Sequence, residues 1–82
     1  MTYTFRLSPG AQRYLDGLND DVVDRVLKKL KDISKDPFRF LDHYEGEGYK
    51  LRIGDHRAIV DVDITKKDLF VRVLDKRGRI YK

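Results

Sequence analysis

The strongest constraint on the fold is the alternation of apolar and polar residues between Tyr49 and Lys82. A period of two is typical of β-strands that bury one face. The predicted apolar face consists of Leu51, Ile53, Ala58, Val60, Val62, Leu69, Val71 and Val73. The opposite face is predicted to carry Lys50, Arg52, Arg57 and Arg72. Strands that are this apolar on one side need a cover, so helices earlier in the chain are expected to pack against them.

The first half of the chain contains the patterns of one strand and two helices. Thr2–Leu7 alternates as a strand does, and Ser8-Pro9 is a typical helix start, with Ser8 as N-cap. Asn19 is expected to cap a second helix, whose apolar residues recur at helical spacing up to Ile33. Pro37 is expected to end that helix at or before Asp36. Almost nothing joins the two helices, so an antiparallel hairpin is predicted.

Two turns organise the second half. Gly54-Asp55 has glycine where a type II′ hairpin turn prefers it, and Thr65-Lys66 is a weaker second turn. Residues 37–47 are expected to form a connector. The element order is therefore β-α-α-β-β-β, an α+β fold in which the N-terminal strand joins an antiparallel-rich sheet and the helical hairpin covers one face. A chain of 82 residues is expected to be one domain, 1–82.

Charge and composition narrow the classes of function. Residues 1–47 hold 8 Lys/Arg against 9 Asp/Glu, whereas residues 48–82 hold 10 against 5. The positive field therefore lies on the predicted sheet and tail, which suggests a polyanion partner such as nucleic acid. With no cysteine, the chain has no disulfide framework and no thiolate metal site. The absence of a signal-like or membrane-spanning apolar run makes a cytoplasmic protein the simplest expectation.

Arginines form the candidate site. If Gly54-Asp55 is a two-residue turn, Arg52 faces Arg57 directly, and like charges in that position need a carboxylate or an anionic ligand. Asp61 is on the same predicted face. Spacing alone favours a solvated face with screened charges. The tail adds Lys76, Arg77, Arg79 and Tyr81 at the rim of the sheet. Brought together, Arg57, Arg77 and Tyr81 would make a good phosphate site, because the arginine fork matches phosphate oxygens.

These patterns together resemble the RelE/ParE toxin superfamily. The stretch from Tyr49 to Val62, the closing R-V-L-D-K-R-G-R-I-Y, the element order and the S-P-x-A-x-x-x-L helix opening all agree with it. The resemblance covers essentially the whole chain and is closest to the RelE-type branch. It implies a metal-free, cofactor-free mRNA endoribonuclease that works in the ribosomal A site and is neutralised by a RelB-like antitoxin. The ribose 2′-hydroxyl attacks the adjacent phosphate, the 5′-oxygen leaves, and a 2′,3′-cyclic phosphate forms.

The resemblance also assigns roles to residues. Arg57 and Arg77 would bind the scissile phosphate, and Tyr81 or Lys50 would act as general base. The family's second strand lysine is absent here, because its position is occupied by Gly48. Arg52 is expected to compensate for the missing lysine. Further RNA contacts are expected from residues of both halves: Arg52, Arg72, Lys76, Arg79, Lys28 and Lys31. The second helix offers candidate contacts to ribosomal RNA at Lys28, Lys29, Lys31 and Lys35, although a solvated helix face is the more ordinary interpretation of these lysines. His43 and His56 have no partner pattern.

Two other interpretations stay open. A ParE-like toxin would share the fold but inhibit DNA gyrase by protein binding, and a plain RNA-binding module would lack turnover. In either toxin interpretation, an antitoxin would cover apolar residues on the exposed sheet face, expected to be Ile59, Phe70 and Leu74, or would bind a groove beside the helices.

Overall fold

The computed structural model describes residues 2–43 and 48–76. They form an α+β fold in which two main helices pack on one face of a five-stranded sheet. The strands are β1 (Thr4–Leu7), β2 (Asp42–His43), β3 (Tyr49–Ile53), β4 (His56–Asp63) and β5 (Asp68–Lys76). The helices are α1 (Pro9–Asp16), α2 (Asp20–Lys35) and the single turn α3 (Pro37–Phe40). The predicted fold class is confirmed, and α3 and β2 are additions within the segment expected to be a connector.

The sheet has the order β1-β5-β4-β3-β2. The N-terminal strand pairs in parallel with β5, and all other neighbours are antiparallel. A parallel pair needs a crossover connection, and the helical hairpin is part of the chain that makes it. Among the described residues, β2 pairs through Asp42 and His43 with the first two residues of β3. The end of β3 lies beside α2 at this border of the sheet.

The helix boundaries follow local chemistry. Ser8 caps α1, because its Oγ accepts a hydrogen bond from the Ala11 amide at 3.0 Å and donates one to the Arg72 carbonyl at 2.8 Å. The same side chain thus fixes the start of the helix and ties it to β5. Asn19 occupies the cap position of α2 without a side-chain cap bond. The helix ends at Lys35, as Pro37 requires.

The core lies between the sheet and the two main helices. It is built from aliphatic side chains of every main element, so each element is held by burial of an apolar face. Its most deeply buried large members are Val26, Leu30, Ile33, Leu51, Val60, Leu69 and Val71. Among the described residues, no helix is long and apolar enough to span a membrane.

A β-bulge changes the faces of β5. Ile59 pairs with Val73 and Val60 pairs with Val71, so Arg72 is an extra residue in the strand. An extra residue inverts the alternation beyond it. Leu74 is consequently buried in the core at 4% exposure, whereas Val73 lies on the opposite face at 38%. The predicted faces of Val73 and Leu74 were both wrong, since strict alternation does not anticipate a bulge.

The face opposite the helices, called the open face below, is less apolar than expected. Ile59 does lie on it but is only 4% exposed, and Leu74 is absent from it. Phe70 is half-buried, with the Arg6 guanidinium 5.1 Å from its ring centre. Arg6 also donates to Asp68 at 2.9 Å, and this contact raises the pKa of Arg6. The expectation of three exposed apolar residues there was therefore wrong for Ile59 and Leu74.

The hairpin turns set the register. Gly54 has φ of 57°, and the φ of Asp55 is not positive, as a type II′ turn requires. The predicted pairing of Arg52 with Arg57 is confirmed. The second turn is longer than Thr65-Lys66: it runs through residues 64–67 and has Lys67 at φ of 56°.

Candidate functional site

The central feature of the open face is a row of three charged residues across the sheet. Arg57 on β4 lies between Arg52 on β3 and Asp75 on β5 in the backbone register. Residues directly opposite in antiparallel strands have Cβ atoms about 5 Å apart. Two arginines and one carboxylate leave an excess of one positive charge in the row. Asp75 was not identified from the sequence, because the bulge at Arg72 decides which residue faces Arg57.

The guanidinium of Arg57 is oriented by the hairpin that carries it. Its Nη1 donates to the His56 carbonyl at 3.0 Å and to the Gly54 carbonyl at 3.3 Å. The residue is only 3% exposed. Burying a cation is costly unless hydrogen bonds and opposite charge compensate, and the carbonyls of Gly54 and His56 and the cross-strand Asp75 supply such groups. These hydrogen bonds to the backbone of the hairpin fix the orientation of the Arg57 guanidinium.

Lys50 lies on the same open face, one row away. It is half-buried and pairs with Asp42 of β2 on one side and Ile59 on the other. Its neighbour Tyr49 points to the helix side, where its ring meets Phe38 edge-on at 5.6 Å. Lys50 and Arg57 thus share a face, as expected, in adjacent strands.

Asp61 has a different role from the expected one. Its Oδ1 accepts a hydrogen bond from Arg72 Nη2 at 2.8 Å, so it compensates Arg72 instead of the Arg52–Arg57 pair. Gly48 packs against this ion pair. A Cβ atom at Gly48 would lie 2.9 Å from Arg72 Nη2 and 3.0 Å from Asp61 Oδ1, and the φ of Gly48 is 86°. A lysine at this position, where the family pattern has its second strand lysine, would therefore have a strained backbone and would crowd the ion pair.

His56 faces away from the open face. It is buried among helix-side residues, and its ring meets Tyr14 of α1 edge-on at 5.8 Å. Its Nε2 has no hydrogen-bond partner among the described residues. Although it adjoins Arg57 in sequence, alternation places the two side chains on opposite sides of the sheet.

A cavity of about 210 Å³ opens between α2 and the end of β3. Its lining residues are Arg25, Lys28, Lys29, Asp32, Arg52, Ile53 and Gly54. Four cations and one carboxylate line it, so it has an excess of three positive charges. Of these cations, Lys28, Lys29 and Arg52 were candidates from the sequence, and Arg25 was not. The spacing i, i+3, i+4, i+7 from Arg25 to Asp32 marks one helix face, a signal that the sequence did contain.

The remaining candidates are dispersed or lie outside the described residues. Lys31 is exposed on α2 and lines a separate groove of about 370 Å³ with Phe5, Asp24, Leu27 and Lys28. Lys76 is exposed at the end of β5, opposite His56. Arg77, Arg79 and Tyr81 lie outside the described residues. Within residues 2–43 and 48–76, no group of three His, Asp or Glu side chains could hold a metal ion.

Comparison with known families gives a match over nearly the whole chain. Residues 5–80 match the model of the ParE toxin of type II toxin–antitoxin systems, parDE. A curated relative, the DNA-directed RNA polymerase subunit alpha of Symbiobacterium thermophilum, is 37% identical over 70 residues. That match covers 80% of this chain but spans only about a fifth of the relative's length, 22%.

Solved structures of toxin–antitoxin complexes share the fold. The chain is similar to one in the RelBE2 complex of Mycobacterium tuberculosis, with a TM-score of 0.84 and 23% identity, covering 94% of this chain and 100% of that one. For the archaeal RelE–RelB complex of Pyrococcus horikoshii the TM-score is 0.81 at 28% identity, covering 96% and 99%. For the intact Escherichia coli RelBE complex it is 0.76 at 24%, covering 94% and 99%.

Proposed function

The chain belongs to the ParE toxin family of type II toxin–antitoxin systems, and we propose that residues 1–82 act as a single RelE-like toxin domain that cleaves mRNA on the ribosome. The observation that carries this proposal is Arg57. Its guanidinium is held by the carbonyls of Gly54 and His56, and Arg52 is its cross-strand neighbour on the open face. Fixed positive charge next to a transferring phosphoryl group stabilises the charge that develops in the transition state.

The proposed reaction is an internal transesterification of RNA. A general base removes the proton of the ribose 2′-hydroxyl, whose oxygen attacks the adjacent phosphorus. The bond from phosphorus to the 5′-oxygen breaks, and that oxygen takes up a proton. The products are a 2′,3′-cyclic phosphate and a 5′-hydroxyl. Lys50 shares the open face with Arg57 and is the described candidate for proton transfer, whereas Arg77 and Tyr81 keep their proposed roles from the family pattern alone.

The burial of Arg57 adds a condition to this mechanism. A guanidinium that is 3% exposed reaches a phosphate only after the groups that cover it move. We therefore expect RNA binding to make Arg57 more accessible than it is in the free protein. A larger exposure of the Arg57 side chain in the RNA complex would support this step.

The direct test compares induced expression of the wild type, Arg57→Ala and Arg57→Lys, with primer extension on cellular mRNA. Cleavage of ribosome-programmed mRNA by the purified proteins should fall on the order of 10²–10³-fold in Arg57→Ala. Arg57→Lys should recover little, since lysine lacks the planar fork. Arg13→Ala, which removes an exposed arginine of α1, is the matched control and should cut normally.

Because Arg57 is buried, its loss could act through the fold. Thermal unfolding of each variant must therefore accompany the activity assay, and only a folded, inactive Arg57→Ala supports the proposal. Codon-phased cleavage that persists in a folded Arg57→Ala would refute the role of Arg57.

The family match favours one alternative, a toxin that inhibits DNA gyrase by binding it. In that case growth arrest should persist in Arg57→Ala, cellular mRNA should stay intact, and purified protein should block supercoiling by gyrase. RNA binding with neither activity would indicate a binding module without turnover.

We further propose that a RelB-like antitoxin binds the groove between β1 and α2. Leu27, which is 36% exposed, and Phe5 give this groove an apolar surface. Lys28 and Lys31 against Asp24 leave its lining with an excess of one positive charge. An amphipathic helix with acidic flanks is complementary to this surface. Leu27→Asp should weaken co-purification with the protein encoded next to this gene, whereas Ile64→Asp, at an exposed turn residue, should not.

A further inference from the structure

Apart from Arg52, the residues that line the cavity between α2 and β3 have no role in the reaction described above. It is a shallow, solvent-open cavity, bordered by the helix face that carries Arg25, Lys28 and Lys29 and by the end of β3 and its turn. Its volume, about 210 Å³, is below the roughly 300–1,000 Å³ of pockets for drug-sized ligands. A small charged group fits such a space better than a nucleobase with its sugar.

Within residues 2–43 and 48–76, no ion pair neutralises the cations of this cavity. The ion pairs of that part of the chain are formed by Arg6 with Asp68 and by Arg72 with Asp61, away from the cavity. Asp32 is the one carboxylate in the lining, and it lies beyond 4.0 Å from the cationic nitrogens there. Four cations that converge without an ion pair repel one another, and a bound anion would relieve that repulsion.

Packing against α3 holds one of these cations, Lys29, in place. The residue is half-buried, and its ammonium lies 4.5 Å from the centre of the Phe40 ring. A cation over an aromatic face is held by the ring quadrupole. The side chain is therefore positioned by α3 at the edge of the cavity instead of extending freely into solvent.

Arg52 connects the cavity with the open face. It lines the cavity and also pairs across the strands with Arg57. Positive charge thus runs continuously from α2, around the border of the sheet at β3, to the row that contains Arg57. Positive charge that extends over two neighbouring surfaces suits a polyanion such as a nucleic-acid backbone.

We propose that the cavity between α2 and β3 binds a backbone phosphate of the RNA, at a nucleotide other than the one that is cleaved. Arg25, Lys28, Lys29 and Arg52 hold this phosphate and so set the path of the strand toward Arg57. The inference rests on the proposed function in taking RNA as the ligand, but it concerns binding and requires no cleavage.

The test uses the purified full chain and a fluorescein-labelled 2′-O-methyl oligoribonucleotide, which lacks the 2′-hydroxyl nucleophile and cannot be cut. Anisotropy titrations at several salt concentrations give the affinity and its salt slope for the wild type and for Arg25→Gln/Lys29→Gln. The matched control is Arg13→Gln/Lys66→Gln, which removes the same two types of charge at exposed sites outside the cavity.

Loss of one phosphate contact should reduce the magnitude of the salt slope by about 0.7 and lower the affinity several-fold relative to the control. Equal affinities and slopes in the two double variants would overturn the proposal. A two-dimensional NMR titration with inorganic phosphate adds a direct probe: the Gly54 amide should shift in the wild type and not in Arg25→Gln/Lys29→Gln. Shifts that are the same in both proteins would also overturn it.

The outcome is independent of the nuclease proposal. If the cavity variant loses affinity but the wild type fails to cleave programmed mRNA, the phosphate site stands and the proposed reaction fails. If Arg57→Ala abolishes cleavage while the cavity variant binds like its control, the reaction stands and the phosphate site fails.

Discussion

Replacing Gly48 with alanine should destabilise the protein more than the same change at Gly54. Both glycines have positive φ, 86° and 57°. They differ in their surroundings. A Cβ atom at Gly48 would lie 2.9 Å from Arg72 Nη2 and 3.2 Å from the Val60 carbonyl oxygen, whereas nothing lies within 4 Å of one at Gly54. The pair therefore separates the cost of backbone conformation from the cost of crowding.

The magnitudes follow from these two costs. A left-handed backbone costs a residue with a Cβ atom about 1–2 kcal/mol, and this applies to both variants. Forcing extra atoms into a packed site adds about 1–3 kcal/mol, and this applies to Gly48 alone. Gly54→Ala should thus lower the free energy of unfolding by about 1–2 kcal/mol, and Gly48→Ala by about 2–5 kcal/mol.

Urea unfolding followed by circular dichroism measures both values. A difference of 1 kcal/mol shifts Tm by about 4–8 °C in a domain of this size, so thermal scans give an independent reading. In an Arg72→Met background the added cost at Gly48 should shrink, because the closest atom to the new Cβ is gone. Equal losses at Gly48 and Gly54, or no rescue by Arg72→Met, would refute the crowding argument.

Two further changes test the fold. Ser8→Ala should lower the free energy of unfolding, measured in urea, by about 1 kcal/mol because it removes the cap bond to the Ala11 amide. An unchanged unfolding midpoint would contradict the role of this cap. Asn19→Ala is the control, because Asn19 occupies a cap position without a side-chain cap bond. Leu74→Ala should lower the free energy of unfolding by about 2–5 kcal/mol and Val73→Ala by less than about 1 kcal/mol, because the bulge buries Leu74 and leaves Val73 exposed. The reverse order of the two losses would mean that β5 has no bulge.

The order of elements was predictable because each depends on local chemistry. Helical spacing from Val22 to Ile33 and the cap at Ser8 define the helices whatever else the chain does. Glycine at position 54 fixed the β3–β4 register, and with it the pairing of Arg52 with Arg57. That pairing, together with the placement of Lys50 on the same face, is the part of the candidate site that sequence alone provided.

Contacts between elements that are distant in sequence determined the rest of the candidate site. The bulge at Arg72 depends on how β4 and β5 fit together over eight residue pairs, and it determines that Asp75 faces Arg57 and that Leu74 is buried. The cavity depends on α2 lying against β3, which places Arg25 beside Arg52 from a distant part of the chain. Patterns with periods of two or 3.6 residues assign faces within an element, whereas only tertiary packing brings the faces of different elements together.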